Sequence, residues 1–78
     1  MTFTMTNAMR AARAETALQA YAEEKGEPRD RDCDVRDLLA DLMHWCDTQR
    51  DDENGTFSFA EELRMATMHH EQEVAEEA

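Results

Sequence analysis

Seventeen residues, Asp34 to Arg50 (DVRDLLADLMHWCDTQR), constrain the fold most strongly. Apolar side chains at 35, 38, 39, 42, 45 and 46 recur at helical spacing, and the carboxylates of Asp34, Asp37 and Asp41 are expected to face away from them. That pattern is an amphipathic helix with one apolar stripe and one acidic ridge. A chain of 78 residues holds one domain and buries only about 60% of the surface exposed on unfolding, so its core is thin. Ala and Glu are the commonest residues, Met, Leu and Arg add to them, and there are only two Gly and one Pro, which favours helix over every long window. The expectation is an all-α fold: a three-helix bundle, or a helical hairpin with an extended N-terminal arm.

Punctuation divides the chain. Residues 1–6 alternate Met1, Phe3 and Met5 with threonines, the period of an extended arm. Thr6 or Asn7 can cap a first helix over about 7–25, whose face of Ala11, Ala14, Leu18, Tyr21 and Ala22 permits close approach, and which stops at Gly26 ahead of Pro28. The stretch GEPRDRDCD reads as a polar connection. A second helix is expected over about 35–50, with Asp34 and Asp37 resembling a capping box. Asn54 and Gly55 mark a turn. Ser58 and Glu61 then cap a third helix over about 59–75, with Glu76 and Glu77 expected to fray. No repeat or linker interrupts residues 1–78, which read as one small helical domain.

The formal charge is −11, and it is uneven: residues 1–22 carry +1 and residues 23–78 carry −12. Such a chain is a poor direct ligand for nucleic acid. It suits a basic protein surface, toward which a concentrated negative field steers association. Excess acid also serves solubility alone. No run is long and apolar enough for a membrane span, and MTFTMTNAM has neither the basic flank nor the apolar core of a signal peptide, so a cytoplasmic protein is expected. Cys33 and Cys46 are then reduced, the first in a charged connection and the second within the apolar stripe.

The acidic row has a spacing worth stating. Along a helix, Asp34, Asp37 and Asp41 lie about 4.5 and 6 Å apart, and Asp51 continues the face about 15 Å further on. Phosphates along a nucleic-acid strand have a comparable order of spacing, so the row could act as a nucleic-acid mimic that occupies a basic groove. An ordinary solvated helix face has the same pattern. Trp45, on the flank of the stripe, either covers the edge of the core or anchors an interface.

Other chemistry is weakly signalled. Asp41 with His44, and His69 and His70 with Glu73, are carboxylate and imidazole pairs one turn apart, but there is no C-x-x-C and no H-E-x-x-H, so His44, His69 and His70 are only weak metal candidates and no cofactor is expected. Ser58 is committed to a cap, and Cys33 lies among carboxylates that disfavour its thiolate, so an enzyme is not expected. The sparse core, the alanine-rich face of the first helix and the apolar arm at Phe3 and Met5 point to a homodimer.

The pairing of DVRDLLADLMHWCD at 34–47 with FAEELRMATMHHEQE at 59–73 resembles small acidic helical accessory proteins encoded on bacterial plasmids and phages; by size and charge alone the chain is similar to anti-CRISPR proteins. The resemblance implies a mobile-element setting and action on host defence or nucleic-acid-binding machinery. Two functions follow as expectations: a non-enzymatic acidic factor that blocks a basic surface, or a homo-oligomeric accessory domain whose acidity only keeps it soluble.

Overall fold

The computed structural model describes residues 4–49 and 57–77. It is all-α, with helices α1 (Asn7–Lys25), α2 (Arg31–Thr48) and α3 (Phe59–Glu77), and among the described residues it has no strand. No helix of these is long and apolar enough to cross a membrane.

Each helix is bounded by the residues chemistry would choose. Thr6 is extended and its hydroxyl accepts from the Met9 N–H at 3.1 Å, which starts α1. At the other end Gly26 turns left-handed at φ 74°, its N–H donating to the Glu23 carbonyl while the Glu27 N–H donates to that of Ala22. These two bonds make a Schellman motif. The start of α2 corrects the expected boundary by four residues. Asp30, not Asp32 or Asp34, is the cap: its carboxylate accepts from the N–H groups of Asp32 and Cys33, at 3.0 and 3.4 Å. Asp34 then returns the favour by accepting from the Asp30 N–H at 2.8 Å, a variant of the capping box in which the acid comes from the fourth helical position. The polar stretch after Pro28 is therefore mostly helix.

At its far end α2 stops at Thr48, whose hydroxyl donates to the Trp45 carbonyl and satisfies one of the last acceptors. In α3 the Ser58 hydroxyl accepts from the Glu61 N–H as expected. Its last turn is longer than expected and does not fray: Glu77 accepts from the Asn7 N–H, and the Asn7 side-chain amide donates to the Glu73 carbonyl. Carboxylates at that place complement the N-terminal dipole of α1, whose own first turn holds no acid.

The three helices meet pairwise by different ends. Lys25 with Asp37 and Tyr21 with Asp41 join the later part of α1 to the earlier part of α2. Trp45 and Cys46 face Phe57 and Phe59 at the junction of α2 with α3, and Arg10 with Glu73 joins α3 back to α1. At the junctions of α1 with α2 and of α1 with α3 the contacting residues step in opposite chain directions. An up-down-up bundle would instead set α1 parallel to α3, so this bundle is opened into a triangle, with extents of 43 × 37 × 23 Å. The only buried apolar side chains among the described residues are Ala22 and Cys46. The stripe of α2 is not a closed core: Val35, Leu39, Leu42 and Trp45 are exposed, Leu42 at 38%.

The early part of the stripe, near Asp34 and Leu38, meets α1, and the late part, near Trp45 and Cys46, meets the start of α3. The middle, at Leu39 and Leu42, lies between the two neighbours.

The end of α1 gives the first prediction. A Cβ at position 26 meets nothing within 4 Å, so only the left-handed backbone opposes it. Gly26→Ala should therefore cost about 1–2 kcal/mol, read as a lower urea midpoint, and D-alanine placed there by chemical synthesis should recover the loss.

Candidate functional site

The acidic row is where the structure departs most from expectation. Asp34, Asp37 and Asp41 line the seam between α2 and α1, where Asp34 is buried, Asp37 is half exposed and Asp41 is exposed. Asp34 is 1% exposed, the most completely buried large side chain among the described residues. Its Oδ2 accepts from the Asp30 N–H and from the Arg29 guanidinium, and the Lys25 ammonium stands 3.1 Å from Oδ1 as a charge contact rather than a directed hydrogen bond. The backbone N–H of Asp30 leads the forces that hold this carboxyl below its ordinary range; Lys25 and Arg29 add to it, and burial opposes them.

The rest of the seam follows the same logic. Lys25 also reaches Asp37 at 2.9 Å and lies 5.1 Å above the centre of the Tyr21 ring. The Tyr21 hydroxyl donates to Asp41, and that hydrogen bond pushes the phenol up to about 12. Tyr21 and Lys25 are one turn apart on α1, as Asp41 and Asp37 are on α2, so the pairs register. Arg29 bridges back to Glu15 of α1 at 2.7 Å. Each of these carboxylates has a partner within the chain, and Asp37 and Asp41 remain open to solvent. Asp51, the fourth member of the expected ridge, lies outside the described residues.

Five of the described cations are drawn into such pairs. Besides Lys25 and Arg29, Arg10 meets Glu73 at 2.9 Å, Arg31 meets Asp32 at 3.1 Å and Arg64 meets Glu61 at 2.6 Å. Glu23, Glu24, Asp47 and Glu71 are exposed. The surface field of the folded chain is accordingly negative.

Trp45 is 53% exposed and does not fill a core. Its ring meets Phe57 edge to face, with centroids 6.1 Å apart and planes at 81°. The two line a groove with Leu39, Leu42, Phe59 and Leu63, and Leu39 and Leu42 continue into a second apolar hollow with Ala14, Leu18, Val35 and Leu38. One apolar face thus crosses all three helices. Sequence reasoning found Trp45 and placed Phe59 on the face of the third helix but did not couple them or Phe57; two phenylalanines astride a helix cap were the available signal.

The remaining candidates stay apart. His44 is exposed on α2, and His69 and His70 are exposed on α3, where His70 borders a cleft with Arg10 and Glu73. Among the described residues no group of three or more His, Cys, Asp or Glu is arranged to hold a metal ion. Cys46 is buried and Cys33 exposed; the charge of Asp30, followed by its hydrogen bond, pushes the Cys33 thiol up, which disfavours the thiolate.

The seam makes a pH prediction whose sign is fixed by Asp34. A carboxyl depressed in the folded state contributes stability that is present above its unfolded pKa of about 3.9 and is lost as pH falls through the folded value. Asp34→Asn, which keeps the shape and removes the charge, should lower the thermal midpoint at neutral pH and flatten its decline below about pH 4 relative to the unaltered chain. Parallel acid profiles for the two proteins would show that Asp34 does not organise the seam.

No family model, no curated protein and no solved structure matches the chain.

Proposed function

We propose that this chain is a non-enzymatic acidic protein-binding factor that works in the cytoplasm through the apolar face of α2 and α3. The observation that carries this reading is the exposure of Leu39, Leu42, Trp45 and Leu63 on one continuous face. Apolar patches of that kind, ringed by polar residues, mark interaction sites. An indole half out of solvent, held upright by Phe57, has the character of an interface anchor.

The negative field around the face sets the preference. It disfavours nucleic acid and favours a protein with a basic surface. This differs in mechanism from a phosphate mimic built on Asp34, Asp37 and Asp41, because those carboxylates already have partners on α1 and in the turn before α2. Inhibition of a host defence or nucleic-acid-binding protein in a mobile-element setting rests on the resemblance of the two helical segments to plasmid and phage accessory proteins. It is compatible with either mechanism.

A photoreactive amino acid in place of Trp45, compared with one in place of Glu24 on the exposed acidic surface, separates the two. In lysate brought to low or high salt before irradiation, the residue at 45 should form a protein adduct at both, since apolar burial is insensitive to screening. Adducts from position 24 alone, lost in high salt, would favour recognition by charge and remove the apolar face from the mechanism.

A further inference from the structure

We infer that the occupant of the apolar face is a basic amphipathic α-helix of another protein, laid along the stripe of α2 with apolar side chains one turn apart seated in its two hollows. The inference rests on the reading of that face as an interaction surface and names the form its partner takes there.

Two hollows in line set the geometry. Val35, Leu38, Leu39 and Leu42 form the α2 wall of the hollow shared with α1, and Leu39, Leu42, Trp45 and Cys46 form the α2 wall of the hollow shared with α3. The two walls are centred about four to five residues apart on α2, which is roughly 7 Å along its axis. Side chains at i and i+4 of a docked helix are about 6 Å apart along its own axis, so one helix can fill both hollows from neighbouring turns.

Backbone chemistry disfavours an extended segment in the same place. Among the described residues, every one that lines the hollow beside α1 is Ala, Leu or Val, and Glu62 is the one charged residue that lines the hollow beside α3. The described elements around them are helices and offer no strand edge. An extended peptide would bring its N–H and C=O groups onto this hydrocarbon surface with nothing to pair them. A helix satisfies its backbone internally and presents side chains alone.

Charge sets the sign of the flank. Together α2 and α3 carry eleven carboxylates against three guanidiniums, whereas α1 carries three charges of each sign. Glu62 is exposed and brings one of those carboxylates to the rim of the hollow on its α3 side. Lys or Arg beside the apolar stripe of the docked helix therefore meets a negative wall toward α3 and a neutral one toward α1. An acidic helix, including α2 or α3 of a second copy, is repelled from that wall.

Trp45 is the sole tryptophan of the chain, so its emission reports what lands on the face. The probe is a tryptophan-free peptide of Leu and Lys, about 18 residues long so that it can form a helix, with its leucines on one helical face. Two peptides of the same composition serve as controls, one with leucines spread around the helix and one with Leu and Lys alternating as in a strand; a Leu and Glu helix is the third. The Leu and Lys helix should move the Trp45 emission to the blue and bind the purified full chain at least about tenfold more tightly than any of the three. Glu62→Gln, which keeps the shape of an exposed side chain, should weaken that helix about two- to fivefold at low salt and less at high salt. Equal binding of the peptides, an unmoved Trp45 emission or an unchanged affinity in Glu62→Gln overturns the inference. An emission that shifts with the concentration of the chain alone also overturns it, because a second copy then covers the face. If the helix fails while the residue at 45 still forms its adduct in lysate at both salts, a partner of another shape covers the face and the proposed function stands; if the adduct is missing as well, both fail.

Discussion

The buried carboxylate of Asp34 organises this molecule. It sits where the turn after α1 meets the first turn of α2, and it receives one backbone N–H, one guanidinium and one ammonium from three different places along the chain. Burying a lone charge would be prohibitive, and burying it with two cations and a directed N–H is tolerable only when all are present together. The cluster is thus less a source of raw stability than a condition on geometry. Lys25 can reach it because Gly26 ends α1 there, and Arg29 because Pro28 directs the chain back past Glu15. From this point the Tyr21 and Asp41 pair carries the registry one turn further along the seam.

Polar registry at one seam coexists with a scarcity of apolar burial everywhere else. Hydrogen bonds and ion pairs position α1 against α2, and another set at Asn7, Arg10 and Glu73 positions α1 against α3. Neither set removes much hydrocarbon from water. The large apolar residues that should do so, from Val35 to Leu63, are aligned along the gap instead of being enclosed. Directional polar contacts can define how helices meet without supplying the bulk of the driving force, which grows with the apolar area removed from solvent.

The elements were largely legible in the sequence, because they depend on local chemistry. Thr6, Gly26 and Ser58 perform their end-capping roles where the residue pattern put them, and α1 spans the expected residues. The start of α2 was missed because Asp30, Asp32 and Asp34 are all competent caps, and the choice among them falls to Arg29 and Lys25, which supply the charge that lets Asp34 be buried. The direction of the acidic row was misjudged for a related reason. A helical wheel says which residues are neighbours around the axis, and Asp34 is within about 40° of Leu38, but whether that shared edge meets water or another helix depends on what the other helix carries. Here it carries Tyr21 and Lys25 at matching spacing. The exposure of Trp45 was beyond reach of pattern alone, since the stripe that contains it reads the same whether it faces a neighbour in its own chain or another protein.

The contact between Asn7 and Glu77 gives the fold a topological property of its own. Residues near the two ends of the described helices touch, so the helices form a closed circuit in which every junction is made by side-chain contacts. The order in which the chain visits the helices is then separable from their arrangement. A permuted chain that begins with α3, continues into α1 across a new link from 77 to 7 and finishes with α2 would retain the Asp34 cluster, the Tyr21 pair and the Trp45 and Phe57 contact, and the circuit rather than the chain order would be the unit that evolution or engineering could rewire.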